Sequence, residues 1–134
     1  MLITITLLYA GLLALVYLFL GMRIPFLRGR YKVSLGDGEG KFPRLQEAVR
    51  MHGNAAETIP LGIILLFFVD ATGYSIYIVH GIGIALLVGR ILHPIGLMNG
   101  GRHFWARGLG MVLTWLAIGV AAILCLLTAA SSFG

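Results

Sequence analysis

Arg50, Asn54 and Glu57 stand at i, i+4 and i+7. On a helix that spacing puts a guanidinium, a carboxamide and a carboxylate on one face. Gln46 extends the stripe one turn earlier. Such a row matches a zwitterionic ligand that carries its own carboxylates, amine and peptide groups. Arginine takes a carboxylate through paired N–H groups, glutamate takes an ammonium, and asparagine takes an amide. The same residues equally suit helix-to-helix glue, with Arg50 and Glu57 pairing to Glu47 or Arg90. Spacing alone leaves both readings open.

A second cluster lies further along. Arg90 and His93 share a helical face at i and i+3. Pro94 follows directly and should bend or end its helix there. Arg102 and Arg107 flank the start of the last apolar stretch. Their plain role is anchoring at the headgroup level. Their chemical role would be stabilising an anion, since an arginine beside a thiol favours the thiolate. The four histidines, His52, His80, His93 and His103, are scattered with no HxxxH pair, so no metal site is expected. His80 sits in mid-span, where a packed or interhelically hydrogen-bonded role is expected. Cys125 is the single cysteine, so it has no partner for an internal disulfide and reads as a small hydrophobe.

The elements that must position these residues are membrane spans. The chain has 134 residues, enough for one domain, and is 59% hydrophobic with 11% charged residues. Soluble domains carry about 25% charged residues, and this composition would expose more apolar surface than water tolerates. The fold expected is all-α, an integral membrane four-helix up-down bundle over residues 1–134. Its spans are placed at about 2–22, 43–69, 74–96 and 107–130, each near the length that crosses a hydrocarbon core. The first span carries no charge and no basic residue precedes Arg23, so a retained helix is expected rather than a cleaved signal. Pro43 suits the first turn of the second helix. Residues Gly36 to Gly40 read as a flexible turn. Asp37 and Glu39, with no Gly-Lys-Ser/Thr after them, argue against a phosphate-cradling loop.

All ten Lys and Arg fall within Arg23–Arg50 or Arg90–Arg107. That puts the first and third loops in the cytoplasm and both termini on the opposite side. The net charge of +5 therefore reports topology, and no basic domain for nucleic acid is expected.

The run Arg50-Met51-His52-Gly53-Asn54-Ala55-Ala56-Glu57-Thr58-Ile59-Pro60, with Gly89-Arg90-Ile91-Leu92-His93, resembles the membrane-associated proteins in eicosanoid and glutathione metabolism, the MAPEG family. The chain is most similar to its bacterial branch, related to microsomal glutathione transferases. The resemblance implies a homotrimer that binds glutathione between subunits, near the cytoplasmic side. It also implies a lipophilic small-molecule substrate arriving from the membrane lipid. By position, Arg50, Asn54 and Glu57 match the glutathione-binding residues of the second helix, and Arg90 and His93 those of the third. Arg107 best matches the arginine that stabilises the thiolate, with Arg102 second. Arg28 or Arg30 matches a first-loop arginine that reaches the ligand. Two positions depart from the pattern: Thr58 and Leu97 stand where several members carry glutathione-contacting tyrosines. The expected function is a glutathione-dependent transferase or peroxidase. A non-enzymatic lipid-binding scaffold of the same fold is the alternative. A small transporter is disfavoured because the first span has no charged coupling residue and transport sites lie near mid-membrane.

Overall fold

A computed structural model describes residues 3–132. Four helices follow one another: α1 (Thr4–Tyr31), α2 (Pro43–Ala71), α3 (Ile76–Gly101) and α4 (Phe104–Ser132). Each is long and apolar enough to cross a membrane. Large apolar side chains on all four face outward, among them Leu15, Phe19, Ile64, Phe68, Ile84, Leu116 and Leu126. Lipid is the solvent that accommodates them. The core between the helices is built from Leu13, Met51, Leu66, Val79 and Leu86.

Contacts between the ends of consecutive helices define an up-down-up-down order. The start of α1 meets the end of α2, where Asp70 Oδ2 accepts from the Thr6 backbone N–H and from Thr6 Oγ1, both at 2.9 Å. A carboxylate there satisfies a free N–H of the first turn of α1 and faces the positive end of its dipole. The start of α2 meets the end of α3 through Glu47 Oε1, which accepts from the Gly100 N–H at 2.7 Å. Tyr74, just before α3, donates to the Leu124 carbonyl near the end of α4 at 3.2 Å. Helices α2 and α3 touch each other and both of their neighbours, while α1 and α4 do not meet. The bundle is thus a rhombus with α2 and α3 on its short diagonal.

The seam between α3 and α4 is the closest. A Cβ on Gly110 would lie 2.6 Å from the His93 backbone N and 2.8 Å from the Gly89 carbonyl oxygen. One on Gly96 would overlap the Arg107 backbone. Small residues at such seams let two backbones approach where lipid gives no hydrophobic drive between helices.

Several boundaries differ from those expected. The first span was placed from Leu2, which lies outside the described residues, to Met22. Its helix instead runs on to Tyr31 and ends at Lys32 in the left-handed conformation. At 28 residues it is about 42 Å long, so its last turns carry Arg23, Arg28 and Arg30 beyond the hydrocarbon. The helix continues through Pro25 and Gly29 because Ile24, Leu27 and Tyr31 pack with Leu45 and Ala48 at the start of α2. Pro94 does not end α3 either. The first non-helical residue is Met98, followed by Asn99 and Gly100 at positive φ. A proline inside a membrane helix is tolerated when neighbouring helices hold the chain, and His93, Pro94 and Gly96 are all buried. α4 starts at Phe104, one turn before the expected Arg107. The Gly36–Gly40 segment is a turn with Gly36, Gly38 and Gly40 at positive φ. Arg28 clamps it by donating from Nε and Nη2 to the Gly36 carbonyl at 3.1 and 2.9 Å.

Candidate functional site

The basic residues gather at one end of the bundle, and six of them fall into three groups. The first is a single buried cation. Arg90 is 3% exposed. Its Nη1 donates to Asn54 Oδ1 at 2.6 Å and to Thr58 Oγ1 at 2.8 Å, and its Nε donates to Thr114 Oγ1 at 3.0 Å. α2, α3 and α4 are thereby tied through one guanidinium. Both threonines spend their own hydrogens on their helices, Thr58 on the Asn54 carbonyl and Thr114 on the Gly110 carbonyl, each at 2.8 Å. Their oxygens are left free to accept. Of the two readings that spacing leaves open, the pairing of Arg50 or Glu57 with Glu47 or Arg90 is not formed among the described residues. Among the described residues the one ion pair is Lys41–Glu39, on the surface. Helix glue exists here, but it is neutral oxygen on a cation rather than carboxylate on a cation.

The second group is a cavity of about 330 Å³ lined by Pro43, Gln46, Glu47, Arg50, Leu97, Gly100, Gly101 and Arg107. Arg50 and Arg107 come from α2 and α4 and are both exposed into this open space. The cavity is formed where the end of α3 breaks at Met98–Gly100 and turns away. Glu47 holds that break against α2 through Gly100. His93, one turn before Leu97, is 4% exposed, and its Nδ1 has no hydrogen-bond partner among the described residues.

The third group joins the end of α1 to the start of α2. Arg23, Arg30 and Arg44 line a separate chamber of about 390 Å³ with Glu47, Met98 and Asn99. Arg30 therefore faces this chamber, and Arg28 is spent on the Gly36 turn.

The structure thus joins Arg50 with Arg107, and Asn54 with Arg90. Glu57 is exposed one turn beyond Asn54, and Arg102 is exposed outside the three groups. Thr58 and Thr114 are functional neighbours that sequence reasoning missed as partners of Arg90. Thr58 stands four residues after Asn54 on the same face, a signal that was available. His80 meets the Tyr9 hydroxyl at 2.9 Å through Nδ1, an interhelical hydrogen bond one turn into α1 and α3 rather than in mid-span.

The MAPEG family model matches residues 6–127. The inner membrane protein YecN of Escherichia coli strain K12 is 42% identical over 111 residues, covering 83% of this chain and 82% of that protein. The same protein from Escherichia coli O6:H1 matches to the same extent. No solved structure matches significantly. With its four spanning helices and a family match over nearly its whole length, this integral membrane protein belongs to the MAPEG family.

Proposed function

We propose that the protein is a glutathione-dependent transferase or peroxidase, acting at the cavity between Arg50 and Arg107. The observation that carries this reading is the convergence of those two unpaired guanidiniums, from helices distant in sequence, on one polar cavity. Its volume falls within the range of about 300–1,000 Å³ usual for small-molecule sites. Arg50 binds a glutathione carboxylate, Arg107 stabilises the thiolate, and Arg102 stands second for that role. Asn54 and Glu57 extend the binding face, Arg90 positions Asn54, and His93, buried one turn before Leu97, backs the cavity wall. A homotrimer would complete the site with an arginine from a neighbouring α1, Arg28 or Arg30. The basic end lies in the cytoplasm by the distribution of Lys and Arg.

The chemistry needed is modest. A free thiol has a pKa near about 8.5, and a thiolate fully formed at neutral pH needs about two units less. That is about 2.7 kcal/mol, within reach of one partly desolvated arginine. The thiolate sulfur then forms a bond to an electrophilic carbon as the leaving group departs with its electron pair. With a hydroperoxide it takes the terminal oxygen, the alkoxide leaves and is protonated, and a second glutathione condenses with the sulfenic acid to give disulfide and water.

The test is titration of the purified protein with glutathione, following thiolate absorbance, then conjugation and peroxide turnover. Arg107→Ala is expected to lower turnover at least tenfold. Unchanged activity in both Arg107→Ala and Arg102→Ala overturns the mechanism. No binding at millimolar glutathione overturns the function and favours a lipid-binding scaffold. The apolar Leu97 in the cavity wall is the observation that supports that second reading.

A further inference from the structure

An apolar groove of about 480 Å³ runs between α1 and α3, lined by Leu15, Phe19, Leu20, Ile91, Pro94 and Ile95 among others. It shares Phe19, Arg23 and Met98 with the chamber of Arg23, Arg30 and Arg44, so the two form one continuous space. From Leu15 to Arg23 is eight residues of helix, about 12 Å along the bilayer normal. The groove's lips are open, with Leu15 65% and Phe19 64% exposed. An apolar slot therefore descends into the hydrocarbon from a cluster of three guanidiniums at its headgroup end. None of the three has a carboxylate within ion-pair distance among the described residues. Arg23 Nη1 has only the weakly accepting Met51 Sδ, at 3.7 Å, and Glu47 gives Oε1 to Gly100.

We propose that groove and chamber form one binding site for an anionic phospholipid, with an acyl chain in the groove and its phosphate held by Arg23, Arg30 and Arg44. The charge pattern selects this occupant. An uncharged lipophile would fill the slot and leave three cations unanswered, whereas a phosphate offers several oxygens to guanidinium forks. Basic side chains beside a span already lie at the depth of anionic headgroups. The site is separate from the Arg50/Arg107 cavity. Within one protomer Glu47 alone lines both; Arg30 held on lipid would leave Arg28 as the α1 arginine offered to a neighbouring glutathione site, and lipid immobilisation is read without glutathione present.

The experiment is electron spin resonance on the purified full chain in bilayer nanodiscs, with phosphatidylglycerol spin-labelled on its acyl chain and phosphatidylcholine bearing the same label. Wild type is expected to immobilise phosphatidylglycerol in preference to phosphatidylcholine. Arginine near an anionic surface contributes about 1 kcal/mol. Joint replacement of Arg23, Arg30 and Arg44 by Gln should then weaken phosphatidylglycerol binding about a hundredfold, at 1.4 kcal/mol per tenfold, and erase the preference. Ile95→Trp should fill the groove and release both lipids. Lys32→Gln with Lys41→Gln removes basic charge at the same end but outside the chamber and should change nothing. Equal immobilisation of the two lipids by wild type overturns the proposal, as does an equal loss in the lysine variant. Leu15→Cys and Ile95→Cys, each in a Cys125→Ser background, test the rival occupant. Disulfide-linked dimers in membranes would show a second copy seated on the groove and overturn the lipid site; their absence supports it.

Discussion

The bond between Arg90 and Thr114 makes a sharp prediction, because Arg90 Nε has one hydrogen and the Thr114 oxygen is its partner. Thr114→Val keeps the volume and the branching at Cβ and removes the acceptor. The site is buried, with Thr114 1% exposed, so water does not replace it. Interhelical hydrogen bonds in membrane bundles average about 0.6 kcal/mol, because the opened state finds other partners. Hydrogen bonds to charged groups contribute about 1.5–3 kcal/mol. The charged donor and its depth decide for the upper range, so Thr114→Val should cost about 1.5–3 kcal/mol. Thr58→Val should cost a similar amount, as it strands one Nη1 hydrogen in the same buried space.

A double-mutant cycle isolates the interaction. Arg90→Met removes the cation and keeps an apolar stem. On its own it should destabilise, since it breaks the tie across three helices and leaves Asn54 Oδ1 without its donor; the cycle subtracts that cost. In that background the Thr114 hydroxyl retains only its bond to the Gly110 carbonyl, an i−4 contact within its own helix of small value. Thr114→Val should then cost less than about 0.5 kcal/mol, which leaves a coupling of at least about 1 kcal/mol. The assay is reversible unfolding in mixed micelles of non-ionic detergent and sodium dodecyl sulfate, read by helical ellipticity. A coupling indistinguishable from zero would refute the claim that neutral oxygens hold this guanidinium.

Three further outcomes are expected. Gly110→Ala drives a methyl into the His93 and Gly89 backbone and should destabilise by about 1–3 kcal/mol, whereas Gly108→Ala, with open space around it, should be neutral or stabilising by up to about 1 kcal/mol; the same unfolding assay compares them. Asp70→Ala removes the carboxylate that caps α1 and should cost about 0.5–2 kcal/mol, read as lowered thermal stability and faster amide exchange in the first turn. Lys32 ends α1 at φ 56°, a conformation that costs an ordinary residue about 1–2 kcal/mol, so Lys32→Gly should raise stability by up to about 1 kcal/mol once the entropy of glycine is offset.

How much of this was legible in the sequence depends on which force wrote it. Hydropathy is local, and it located four spans and set α2 within two residues of its observed bounds. It ends the first apolar span at Met22, and α1 runs on to Tyr31 through Pro25 and Gly29 because Leu27 packs with Leu45 and Ala48 of α2. Pro94, expected to bend or end its helix, does not end it, since packing of His93 and Gly96 against α4 outweighs one missing N–H. Spacing along one helix grouped Arg50 with Asn54 and Arg90 with His93. It could not show that Asn54 turns to Arg90, 36 residues away, while Arg50 shares a cavity with Arg107. Thr58 is the instructive miss. Judged against a ligand it looked like a lost tyrosine, but its oxygen accepts from a buried cation, and only the third dimension shows that.

The partners of Arg90 also bear on the electrostatics of the proposed site. Had Glu57 or Glu47 reached Arg90, the pair would have cancelled its charge. Asn54, Thr58 and Thr114 instead supply three oxygens and no charge, so the guanidinium is solvated by the bundle but not neutralised. Its field survives at the same end of the bundle as Arg50 and Arg107. In a medium of low effective dielectric, such a field acts over distances at which water would screen it. Glu57, left exposed, is free for a ligand's ammonium for the same reason. Neutral ligation of one buried arginine thus accounts for two features together: a bundle locked across three helices, and a buried positive charge left uncancelled at its basic end.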